Sequence, residues 1–117
     1  KKLIYKKTVT LFEVSFLFGW VFGGGDFERI DEIKRLAYHF GLSFQIADDM
    51  SDFLQDKQIG NSSNIAICLG IDEAYRHFLI EIEFFRQGLQ SLGLNTPSFH
   101  QVIDFLSHQA NEARFKE

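Results

Sequence analysis

Apolar side chains recur at steps of three and four along almost the whole chain, and no stretch of useful length alternates at steps of two. That periodicity belongs to helices with one buried face, not to strands. The single proline, Pro97, and fourteen phenylalanines point the same way, to long helices around bulky side chains. Four stretches follow. The first runs from about Leu3 to Phe22 and stops at Gly23-Gly24-Gly25. Asp26 is placed to cap a second, from about Phe27 to Phe53, with Ile30, Ile33, Leu36, Ala37 and Phe40 on its apolar side. A polar loop is expected from Gln55 to Asn64, with Gly60-Asn61-Ser62-Ser63 as its turn. Asp72 reads as the cap of a third helix carrying Tyr75, Phe78, Leu79, Ile82, Phe85 and Leu89, closed by Gly93. Thr96-Pro97 starts the last, with Phe99, Val102, Ile103, Leu106 and Ala110 in register. The expected fold is all-α, a bundle of about four long helices.

One helical face breaks the rule. Gln45, Asp48, Asp49 and Asp52 stand at steps of zero, three, four and seven, so an amide and three carboxylates share one side of a helix. Like charges at such spacings cost about 0.2–0.5 kcal/mol per pair. The preceding run, Leu36 to Phe44, is strongly apolar, so these acids emerge from a segment that should be buried. A hard cation among them offsets the repulsion, and Mg²⁺ prefers a few carboxylate oxygens, waters and phosphate oxygens. A solvated acidic patch is the plain alternative.

Composition narrows the remaining classes. A chain of 117 residues makes a single domain, and an apolar fraction of 45% suffices for a packed core. The net charge of −4, with no basic cluster interleaved with aromatics, argues against nucleic acid as a partner. The one cysteine, Cys68, forms no internal disulfide and is expected as a small packed apolar residue. His39, His77, His100 and His108 have no ligand spacing among them. The most apolar run, Leu11 to Phe22, contains Glu13, Ser15 and Gly19 and falls short of the ~20 residues of a membrane span. A chain beginning with Lys rather than Met is expected to be partial.

With Phe44-Gln45-x-x-Asp48-Asp49-x-x-Asp52, the chain resembles the trans-isoprenyl diphosphate synthases, the farnesyl and geranylgeranyl diphosphate synthase family of polyprenyl synthetases. That segment is similar to the family's second aspartate-rich motif. Lys7-Thr8-Val9-Thr10-Leu11-Phe12 is similar to its Lys-Thr-x-x-Leu-Phe segment, which faces the substrate diphosphate. The resemblance covers Lys1 to about Gln55. It implies the isoprenoid-synthase helical bundle, here its C-terminal part, and a Mg²⁺-dependent prenyltransferase. Such an enzyme condenses isopentenyl diphosphate with an allylic diphosphate to farnesyl- or geranylgeranyl-type products. It further implies Asp48, Asp49 and Asp52 as metal residues, and Lys7, Thr8 and Gln45 as diphosphate-binding residues. No side chain is implied as a catalytic base, because released pyrophosphate takes the final proton. A homodimer, and a place on the cytoplasmic side with membrane association through upstream residues, are implied as well.

Three departures from the family pattern accompany the resemblance. The family's other aspartate-rich motif, with the allylic pocket before it, is absent from these 117 residues. The chain alone is therefore expected not to turn over substrate. The loop after Asp52 is short and lacks the family's Gly-Lys. Ser62, Asn64 and Ala66 stand where a second Lys and a Thr-x-Pro are expected, with Lys57 as a candidate replacement cation. Fewer positive charges flank the acids. Divergent members from large DNA viruses would fit these losses. A non-catalytic helical subunit that stabilises or regulates an active prenyl synthase is the alternative, and a fortuitous acidic face on an interaction module is another. A terpene cyclase is disfavoured, since no Asn/Asp-x-x-Ser/Thr-x-x-x-Glu follows Asp48.

Overall fold

The computed structural model describes the backbone of residues 2–60 and 64–115, and the side chains of 9–60 and 64–115. Four long helices carry the fold: α1 (Lys2–Phe22), α2 (Ile30–Ser51), α5 (Ile71–Ser91) and α6 (Pro97–Phe115). Two short ones, α3 (Phe53–Ile59) and α4 (Ile65–Leu69), join α2 to α5. No strand occurs among the described residues, as the periodicity requires.

Helix α2 is the axis, because α1, α5 and α6 all pack against it. Its buried stripe of Ile33, Leu36, Ala37, Phe40, Ile46, Ala47 and Met50 meets Phe78, Ile82, Phe85 and Leu89 of α5. Ile103, Leu106, Ala110 and Ala113 of α6 complete the core. An aromatic chain ties three helices together. Phe12 of α1 meets Phe40 edge-on at 4.8 Å between centroids, and Phe40 lies 5.0 Å from Phe85 of α5. Such ring pairs add about 0.5–1.5 kcal/mol beyond the area they bury. At Gly41 of α2 the helix α1 is close: a Cβ there would lie 3.2 Å from Val9 Cγ2 and 3.3 Å from Val9 Cα. A larger residue there would have to push α1 away from α2. Between α2 and α5, His39 Nδ1 lies 2.6 Å from Glu81 Oε1.

Several boundaries differ from expectation, each for a local reason. Asp26 does cap, accepting from the Glu28 N–H at 2.9 Å, but the turn it starts is a 3₁₀ turn over Phe27–Arg29, and α2 begins after it. The long second helix breaks at Asp52, whose φ of −92° and ψ of 5° end α2, and α3 starts at once. The first half of the expected polar loop, 55–59, is thus helix. Gln55 to Gln58 are polar yet helix-compatible, and the helix stops only at Gly60, in the left-handed region at φ 75°. The rest of the expected turn, residues 61–63, lies outside the described residues. Asp72 is not the cap of α5: Gly70 holds that place, and Asp72 stands in the first turn, where a carboxylate still suits the helix dipole. Pro97 opens α6 as expected.

Three side chains also depart. Leu79 and Val102, placed on the apolar stripes, are exposed, because the buried register of α5 at 71, 74, 78, 82, 85 and 89 leaves Leu79 on the flank. Cys68, expected in the core, is exposed near the end of α4. No helix among the described residues is long and apolar enough to cross a membrane.

Candidate functional site

The acid face lies at the C-terminal end of α2, where the apolar stripe that anchors the helix, Ile46, Ala47 and Met50, points the opposite way into the core. Burying that stripe forces Gln45, Asp48 and Asp49 outward to the half-buried rim, with Asp52 exposed at the break. The expected set is therefore together on one side of the molecule. Its members do different things.

Asp49 is engaged by the protein. Its Oδ2 accepts from the Ile65 N–H at 2.9 Å, and Gln45 Nε2 donates to Oδ1 in a long contact of 3.4 Å. Asp49 thus helps satisfy the open N-terminus of α4. Asp48 keeps a weaker tie, a 3.5 Å contact from Gln109 Nε2 of α6, whose shorter bond goes to Ser51 Oγ at 2.9 Å. Asp52 has its carboxyl held above the usual aspartate value, first by partial burial and then by the charges of Asp48, Asp56 and Asp49.

Asp56, Asn64 and Gln109 were not among the sequence candidates. Asp56 had a signal, since it continues the acid face four residues past Asp52. Asn64 had one as well: an Asn directly before Ile65-Ala66-Ile67 reads as a helix cap. It is buried, with its Oδ1 accepting from the N–H groups of Ala66 at 2.7 Å and Ile67 at 3.2 Å. Its Nδ2 donates to the Asp49 carbonyl at 2.7 Å and to Asp56 Oδ2 at 3.0 Å. Gln109 arrives from 61 residues away and left no local trace.

The expected cations are less gathered. Lys57 is exposed on α3, with Nζ 5.5 Å from the centre of the Phe53 ring. The side chains of Lys7 and Thr8 lie outside the described residues, although their backbone belongs to α1. Among the described residues, no three His, Cys, Asp or Glu side chains converge closely enough to hold an ion by themselves. The donor chemistry nevertheless suits magnesium. That ion takes one or two carboxylates and fills its remaining positions with water and phosphate oxygens. Asp48 and Asp52, one turn apart on one face, are such a pair.

The family model described as "Polyprenyl synthetase" matches residues 1–64, nine residues beyond the resemblance seen in the sequence. A "Trans-prenyltransferase" of African swine fever virus (isolate Pig/Kenya/KEN-50/1950) is 47% identical over 47 residues, covering 40% of this chain and 15% of the viral protein. "Geranylgeranyl pyrophosphate synthase 11, chloroplastic" of Arabidopsis thaliana is 32% identical over 65 residues, 55% of this chain and 18% of the plant protein. A third relative, "Heterodimeric geranylgeranyl pyrophosphate synthase large subunit 1, chloroplastic" of the same plant, is 34% identical over 58 residues, 49% of this chain and 16% of that protein. The matched stretches span under a fifth of the length of these relatives. No solved structure matches. The family match takes in α1, the whole acid face of α2, Asp56 and Asn64, and on it this chain belongs to the polyprenyl synthetase family.

Proposed function

We propose that this chain is the C-terminal part of a prenyltransferase that condenses isopentenyl diphosphate with an allylic diphosphate. Its acid face holds the substrate diphosphate through Mg²⁺. One observation carries the reading: Asp48 and Asp52 share a face at the end of α2, with Asp49 and Asp56 adding charge beside them. When bound, magnesium neutralises the diphosphate so that it can leave from the allylic carbon.

The residues divide the remaining work. Asp48 and Asp52 offer oxygens to the ion. Gln109 limits the rotation of Asp48. Asp49, joined to α4 through the Ile65 N–H, would support the ion through its waters. Gln45, one turn before on the same face, would donate from its amide to a diphosphate oxygen. Lys7 and Thr8 of α1 supply a charge and a hydroxyl to that diphosphate, and Lys57 is the one candidate cation beyond the break. The departing pyrophosphate is the base for the last proton, so no side chain of this chain is asked to take it.

A homodimer belongs to the same proposal. Leu11, Val14, Phe18 and Phe22 give the outer face of α1 an apolar surface available for association.

Equilibrium binding of an allylic diphosphate, with and without Mg²⁺, tests the function. Metal-dependent binding without condensation is expected, because the chain carries one aspartate-rich motif. Failure to bind any diphosphate, in this chain and in a longer form of the protein, would sink the enzymatic reading. The regulatory-subunit alternative would then be preferred.

A further inference from the structure

We propose that Asn64 is a positioning residue of the acid site, tying the break between α2 and α3 to α4 and thereby setting which carboxylates face the ion. The inference rests on the proposed magnesium–diphosphate reading.

Asn64 is 1% exposed, so each of its polar atoms needs a partner inside the protein. Its oxygen is used as a cap, accepting from Ala66 and Ile67. Serine or threonine would do that equally well. The amide nitrogen is different. It holds the Asp49 carbonyl, on the last turn of α2, and the Asp56 carboxylate, on α3, in the same hand. A hydroxyl has no two donors to spend in this way.

Two consequences follow from that grip. The α4 N-terminus is brought up to Asp49, whose Oδ2 then accepts from the Ile65 N–H, so Asp49 is drawn toward α4 and Asp48 and Asp52 are left as the ion-facing pair. Asp56 is kept close enough to Asp52 for its charge to act there. Without the amide it would swing toward solvent, and the negative field that attracts the cation at Asp52 would weaken.

Asn64→Ser separates these roles from simple folding, since it retains the cap oxygen and deletes both donors. Affinity for Mn²⁺ in the presence of pyrophosphate, read from the electron paramagnetic resonance of free Mn²⁺, is compared with the melting temperature in EDTA. Asn64→Ser is expected to bind Mn²⁺ about tenfold more weakly, the size usual for a partner behind a metal ligand. Asp56→Ala should weaken binding in the same direction, and the double variant should lose no more than the larger single loss. Ile103→Val, a core truncation far from the acids in sequence, serves as a destabilised control expected to keep wild-type affinity. Wild-type affinity in Asn64→Ser, or an equal loss in the control, overturns the inference alone. A wild-type chain that binds no Mn²⁺ with pyrophosphate overturns the functional reading and this inference together.

Discussion

On the proposed reading, Asp52 serves binding at the expense of stability. Its carboxyl has a raised pKa through partial burial and the charges of Asp48, Asp56 and Asp49. Because the folded value lies above the unfolded one, the ionised form opposes folding. The fold therefore gains stability as pH falls through that raised pKa, and the cost is complete above it. Asp52→Asn is accordingly expected to melt higher in EDTA at neutral pH. Solvent screening keeps the gain small, on the order of 0.5 kcal/mol, or roughly 2–4 °C. The same change should weaken Mg²⁺-dependent pyrophosphate binding at least about tenfold. Differential scanning calorimetry and titration calorimetry read the two effects, and a lower melting temperature would refute the electrostatic account. The acid face itself was legible from spacing alone. The unequal duties of its members were not, because the engagement of Asp49 depends on Ile65, sixteen residues away, and that of Asp48 on Gln109 in another helix.

At the scale of elements, the position of α1 depends on one glycine and one aromatic chain. Gly41→Val would drive a branched side chain into Val9, where even a bare Cβ comes within 3.3 Å of backbone. The expected cost is about 1–3 kcal/mol, concentrated in α1, and faster amide hydrogen exchange in α1 than in α6 is the readout. Phe85→Ala removes a fully buried ring that meets Phe40 of α2 and Phe99 of α6, and should cost about 3–5 kcal/mol in urea denaturation. Helix identity was legible because buried stripes repeat over many residues. The joints were less so. The break at Asp52 has no glycine or proline to announce it, and α4, five residues long, is too short to show a period. Its start depends on the Asn64 cap, a local cue that in sequence looks the same as loop polarity.

Among the described residues the molecule is an axis helix with three long companions, and its inner apolar face and the outer face of α1 have different fates. The inner one is a continuous core shared by α2, α5 and α6. The outer one, on α1, leaves Leu11, Val14, Phe18 and Phe22 in contact with water, Phe22 at 82% exposure. Apolar side chains aligned in this way favour association. Sedimentation of the chain should therefore depend on concentration, and Phe18→Glu should suppress that dependence; identical behaviour of the two would argue that the face is inert. Composition and charge excluded nucleic acid from the expected partners, but no periodicity in the sequence distinguishes an apolar face that is covered from one left open. The acid face and the family match converge on the end of α2. The most direct measurement is a crystal grown with Mn²⁺ and pyrophosphate and examined by anomalous scattering. The account predicts an ion within coordination distance of oxygens of Asp48 and Asp52, with pyrophosphate completing its shell. Carboxylates directed into solvent, with no anomalous peak beside them, would contradict it.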